Sequence, residues 1–163
     1  MKILYLHGYN STNLNERTQW LSRFGKLYHP LMKYKNIPED YKFLDKLVNK
    51  HRFDVIVASS MGGFMAFHLG NYYNIPTVLL NPALIMTMIV RPDIRPLATD
   101  TKHFICLGKY DDVIPPFTTK NILKQFQAHY FIKEYEAKHK ISIDIFKDIC
   151  KTSGIFNRVK SCD

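Results

Sequence analysis

Val55-Ile-Val-Ala-Ser59-Ser60-Met61-Gly62-Gly63-Phe64 reads as a buried strand, a sharp turn at Ser60 and a helix that begins at once. The run from Asp54 to Ala58 is short, β-branched and apolar, the pattern of a parallel strand covered on both faces. After the turn, Phe64, Met65, Ala66, Phe67 and Leu69 leave the helix apolar on nearly every side, so it is expected to be central and buried. The small residues after Ser60 let strand and helix approach closely, and the tight turn lifts the serine hydroxyl above the sheet edge. Ala58-Ser-Ser60-Met-Gly62 departs from the usual Gly-x-Ser-x-Gly junction only in its first small residue. The competing reading of the same stretch is a glycine-rich turn that packs, or binds phosphate.

Outward from this junction the chain alternates. Strands are expected at 2–6, 27–32, 54–58, 76–80, 104–107 and 130–135. Helices fall between them. One starts near Asn15, carries Trp20, Leu21 and Phe24 on one face and stops at Gly25; a second has Pro38 in its first turn. The third runs to about Tyr73, Pro115 and Pro116 open the fourth, and the last carries Ile145, Phe146, Ile149 and Cys150 and ends at Gly154. Alternation of this kind implies an α/β protein: three α/β/α layers around a mostly parallel six-stranded sheet. The 163 residues are expected to form one domain, with a short, apolar, methionine-bearing segment at about 84–97 that resembles a cap.

Composition removes several classes. No apolar run is long enough to cross a membrane, and the four apolar residues after Lys2 are too few for a secretory signal. Three cysteines without a CxxC pair fit reduced thiols and a cytoplasmic protein. The formal charge is +9, yet the basic residues are spread along both flanks of the chain. A solvated basic surface accounts for that spread better than a specific nucleic-acid site. No Walker lysine and no Gly-x-Gly-x-x-Gly support a nucleotide site.

Open parallel sheets bind ligands at the carboxyl ends of their strands, so a reactive residue belongs just after a strand. His51, His103 and His129 stand at or before strand starts, His29 lies in or beside the second strand, and His68 is inside the buried helix. Only His7 and His139 follow a strand. Asp54 precedes one, whereas Asp111 and Asp112 follow the fifth. Ser60, Asp111 and His139 therefore come from three strand ends in the order serine, acid, histidine. Ser59 and Asp112 are the alternative nucleophile and acid.

These residues resemble a known family. The chain looks like a very small α/β-hydrolase, similar to the bacterial YqiA/YcfP-like esterases, over residues 1 to about 150. The likeness rests on Ile3-Leu-Tyr-Leu-His-Gly8, Ser59-Ser-Met-Gly-Gly-Phe64, Leu79-Leu-Asn-Pro-Ala83, and Gly108-Lys-Tyr-Asp111 with Val113-Ile-Pro115. The glycine that often precedes the family's histidine is absent before His139. The resemblance implies a minimal α/β-hydrolase fold and a serine esterase acting on a small acyl ester, with no metal and no organic cofactor. In that chemistry Ser60 is the nucleophile, His139 the base and Asp111 its partner. The oxyanion donors are the backbone N–H groups of Met61 and, from the first loop, Tyr9. His7, Gly8, Met86 and Met88 are expected to meet the substrate. A thioesterase, or a non-catalytic binding protein on the same fold, are the alternatives.

Overall fold

The structure, a computed structural model, describes residues 1–88, 100–126 and 129–157. Its strands are β1 (Lys2–Leu6), β2 (Lys26–Tyr28), β3 (Val55–Ser59), β4 (Thr77–Leu80), β5 (Lys102–Gly108) and β6 (His129–Tyr135). They form a single sheet in the order β2-β1-β3-β4-β5-β6, and every pairing is parallel. The helices are α1 (Glu16–Leu21), α2 (Ile37–His51), α3 (Met61–Tyr73), α4 (Pro116–Leu123) and α5 (Ile143–Thr152). Among the described residues no helix is long and apolar enough to cross a membrane.

The period of two along each strand divides the core into two layers. Leu4, Leu6, Ile56, Ala58, Leu79, Ile105 and Leu107 point to one face and pack under α2, α3 and α4. Ile3, Tyr5, Val55, Val57, Val78, Leu80 and Cys106 point to the other and pack under α1 and α5. α3 is buried from Gly62 to Gly70, as its all-round apolar sequence requires. A Cβ on Gly62 would stand 2.5 Å from the Leu6 carbonyl oxygen and 2.6 Å from that of His7. The central helix thus sits directly on the end of β1.

β1 is followed by a neighbour on one side, β2, and then by β3 on the other. The direction of winding reverses between β1 and β3, which opens a crevice at their carboxyl ends. The loops that begin at His7 and Ser60 flank that crevice.

Local signals set most boundaries. Asn15 caps α1 through a capping box, with its side chain accepting from Arg17 and Thr18 N–H. Asn36 caps α2, with Pro38 in the first turn, and Ser142 caps α5. β2 is shorter than its apolar sequence suggests. Pro30 has no N–H for a ladder, and the N–H of Met32 is taken by the ring of His7 instead. Of the cap-like segment, only Leu84–Met88 falls within the described residues, as a 3₁₀ turn. The rest, together with Cys162 and the end of the tail, lies outside them. Cys106 and Cys150 are buried free thiols, and burial raises both pKa values, that of Cys106 to about 12.

Two histidines are buried beneath the rings around α3. His103 sits against Phe67, with Nε2 toward Asn71 Oδ1 and Nδ1 toward the Thr77 hydroxyl. His68 packs edge-on between Phe64 and Phe67. Burial lowers their pKa values from 6.5 to about 3 for His103 and about 4 for His68. The unfolded chain therefore binds protons that the fold refuses. The stability these neutral rings contribute is complete above about pH 6.5 and is lost as the pH falls toward 4. We expect His68→Phe to flatten the fall in melting temperature between pH 6.5 and pH 4.5, in circular-dichroism melts beside wild type. At most about 3 kcal/mol is at stake for this one ring; identical slopes would place the acid lability elsewhere.

Candidate active site

Ser60 is the last residue before α3 and adopts φ 51, ψ −118, a conformation that costs a non-glycine residue of the order of 1–3 kcal/mol. Neighbours hold it there. Its N–H donates to Leu80 O at 2.9 Å, and its carbonyl accepts from Phe64 N (3.1 Å) and Ala83 N (2.9 Å). The result aims the hydroxyl out of the sheet edge into the crevice.

His139 lies in the loop between β6 and α5. Its Nε2 is 3.1 Å from Ser60 Oγ and its Nδ1 is 2.8 Å from Asp111 Oδ2. A carboxylate only accepts, so Nδ1 carries the proton and Nε2 is free to accept from the serine hydroxyl. The carboxylate itself is held by the chain that follows it. Asp111 Oδ1 accepts from Val113 N (2.9 Å) and Ile114 N (2.8 Å), which leaves Oδ2 for the histidine. The Asp111 side chain is 0% exposed and that of His139 26%, so the acid is shielded while the imidazole still reaches the crevice. Asp112, the alternative acid, faces solvent.

The first loop closes the other side. A Cβ on Gly8 would meet Ser60 Cβ at 3.1 Å, so the glycine lets the chain after β1 pass close to the serine without a displacement of a few tenths of an ångström. Tyr9 follows with its side chain exposed. The Met61 N–H is the first of α3, where helical N–H groups have no partner within the helix.

A cleft of about 730 Å³ opens beside Ser60. Its walls are the first loop with Gly8 and Tyr9, the start of α1 with Asn15 and Arg17, and the stretch from His139 to Ile143. Arg17 is anchored there by a 2.6 Å bond from Nη2 to the Ile141 carbonyl. The lining is mixed: Arg17, Lys140 and several amides and hydroxyls face Ile141 and Ile143.

Ser60, Asp111 and His139 are thus brought together, with Gly8 and Tyr9 beside them. Of the four residues expected to meet the substrate, Gly8 lines the cleft, and His7, Met86 and Met88 do not. His7 is buried and uses its ring on the backbone: Nδ1–H donates to Gly8 O at 2.8 Å, and Nε2 accepts from Met32 N–H at 2.9 Å. Tyr34 O–H donates to the His7 carbonyl. His7 therefore fastens the first loop and does not line the cleft. Met86 packs against the core near α3, and Met88 is exposed. The cleft lies instead toward α1 and the loop after β6. Asn81, given no role from the sequence beyond its place in the Leu79–Ala83 stretch, joins three loops around the site. The available signal was a buried-strand end closing in asparagine, a residue that tolerates positive φ.

The geometry has counterparts. Residues 2–102 match the uncharacterised protein family UPF0227, more than half of the chain, and the chain belongs to that family. Its fold is that of the α/β-hydrolases. It is similar to a monoacylglycerol lipase of Paleococcus ferrophilus, at 11% identity and a TM-score of 0.69, covering 93% of each chain. It is similar to a carboxylesterase of Bacillus cereus, at 17% identity and a TM-score of 0.62, over 96% of this chain and 87% of that one. It also resembles acetyl xylan esterase 1 of a Thermoanaerobacterium species, at 14% identity and a TM-score of 0.62, over 93% and 73%. At such identities the likeness concerns the fold.

A low-field proton resonance is expected for the Nδ1–H of His139 bonded to Asp111. Asp111→Asn should abolish it and Asp112→Asn should leave it in place, read by proton NMR at low temperature. Its survival in Asp111→Asn would mean that another group holds this ring.

Proposed function

We propose that this member of UPF0227 is a serine hydrolase that cleaves small carboxylic esters through an acyl-enzyme on Ser60. The observation that carries the reading is the continuous path from Ser60 Oγ through both nitrogens of His139 to the shielded carboxylate of Asp111. A serine hydroxyl is a poor nucleophile at neutral pH without a base in hydrogen-bond reach. His139 Nε2 takes the Ser60 proton as Oγ attacks the ester carbonyl carbon. Asp111 holds the ring in the required tautomer and stabilises its charged form. The N–H groups of Met61 and Tyr9 receive the negative oxygen of the tetrahedral intermediate. That intermediate collapses, the C–O bond to the alcohol breaks, and His139 hands its proton to the departing oxygen. Water, deprotonated by the same nitrogen, then attacks the acyl-enzyme and releases the acid and the free serine.

The cleft bears on the substrate. It is open and mixed in polarity, which suits a short acyl chain, roughly two to eight carbons, with each buried methylene adding about 0.8 kcal/mol. Arg17, Lys140 and Glu16 at its rim favour substrates with a polar portion.

Ser60→Ala is expected to lower turnover of p-nitrophenyl butyrate by about 10³-fold or more while the protein remains folded. It should also abolish labelling by a fluorophosphonate. Ser59→Ala should be mild, and the reverse ranking of the two would move the nucleophile by one residue. His139→Gln should remove turnover as well.

Chain-length selectivity gives a separate test. Ile143→Trp, on the partly exposed cleft wall, is expected to shift preference toward shorter p-nitrophenyl esters. Met88→Trp should keep the wild-type profile. If Met88→Trp moves it instead, the acyl chain lies along the segment after β4.

A further inference from the structure

We propose that Asn81 is a positioning residue that sets the distance between Ser60 and the His139–Asp111 pair; the inference rests on the hydrolase reading above. Asn81 follows β4, is 1% exposed, and adopts φ 42, a left-handed conformation that asparagine accepts more readily than most residues. Its side chain makes three hydrogen bonds. Oδ1 accepts from Gly108 N at 2.7 Å, and Nδ2 donates to the carbonyls of Lys138 (3.2 Å) and His139 (2.9 Å). One N–H donor and two carbonyl acceptors leave only one orientation for this amide.

The partners are the segments that carry the reactive groups. Gly108 opens the acid loop, and its carbonyl accepts the N–H of Asp111 at 3.2 Å. The other two carbonyls belong to His139 and the residue before it. The acid and histidine loops are also tied directly to each other: Lys109 N donates to Tyr135 O (2.9 Å) and Tyr110 N to Ala137 O (3.0 Å). Acid and base thus form one unit between β5 and β6. Ser60 belongs to a different unit, since its N–H is bonded to Leu80 O, the residue just before Asn81. The β4–β5 ladder and the Asn81 N–H to Cys106 O bond (2.9 Å) join the two units within the sheet; the buried Asn81 amide adds the link beyond the strand ends, where the 3.1 Å gap between Nε2 and Oγ must be held.

This arrangement separates two properties that a merely stabilising residue would lose together. Without the Asn81 side chain the imidazole–carboxylate bond survives, because β5 and β6 keep it, while the registration of the imidazole on Ser60 is lost. Asn81→Gly removes all three bonds and accepts the positive φ. Asn81→Asp keeps the acceptor for Gly108 and loses both donors to the histidine loop.

The test compares wild type, Asn81→Gly and Asn81→Asp at a temperature where circular dichroism reports each as folded. Three readings are taken: fluorophosphonate labelling rate at Ser60, kcat and KM for p-nitrophenyl butyrate, and the low-field His139 proton. The expected result is a fall in labelling rate and kcat of about 100-fold in both variants, the cost of a misplacement near 1 Å. KM should stay within about twofold, and the low-field proton should persist. Wild-type rates in either folded variant would overturn the inference, as would loss of the proton along with activity. Failure of both variants to fold would assign Asn81 a structural role and overturn it too. Absence of labelling in wild type would instead sink the hydrolase reading itself.

Discussion

The site depends on one steric constraint, the contact of α3 with the end of β1 at Gly62. The space there is smaller than a methyl group, since a Cβ would lie 2.5 Å from a carbonyl oxygen. That approach lets the chain turn from β3 into α3 within a single residue. Ser60 bears the cost as positive φ, and hydrogen bonds from the β4 end hold it. Strain of this kind persists only where the surroundings over-determine it. The buried α3 and the fully parallel sheet supply those surroundings.

The same economy governs the acid. A buried carboxylate without hydrogen-bond partners is costly. Asp111 divides its oxygens. One accepts two backbone N–H groups from the turn that follows, and the other faces His139. The turn holds the carboxylate, and the carboxylate fixes the orientation of the His139 ring. Asp112, one residue on, has the same charge and none of this shelter.

His7 and the methionines illustrate how placement after a strand is necessary for a site residue and not sufficient. His7 stands at the correct sheet edge, beside the serine junction, yet its two nitrogens match one backbone acceptor and one backbone donor. It fixes the loop that carries Gly8 and Tyr9. The apolar residues after β4 also lie at the correct edge, but Met86 turns inward to the core and Met88 outward to solvent. The cleft is formed by the start of α1 and the loop after β6, which are far apart in the chain.

By itself the sequence determined the layers, the six strands and the order of Ser60, Asp111 and His139 at their strand ends. Each of these follows from local chemistry: β-branched runs of period two, caps such as Asn15 and Asn36, prolines at helix starts, and small residues after Ser60. Both His7 and His139 follow strands, and the order serine, acid, histidine along the chain pointed to His139. The tertiary structure separated them, since the partners of each ring come from distant segments: Met32 for His7, Asp111 for His139. The partners of the Asn81 amide and the position of the cleft were out of reach for the same reason. A side-chain amide acquires its meaning from which carbonyls stand opposite it, and those of residues 138 and 139 arrive only when β4, β5 and β6 lie side by side. Local pattern specifies elements; the distances between their ends are set by packing across the sheet.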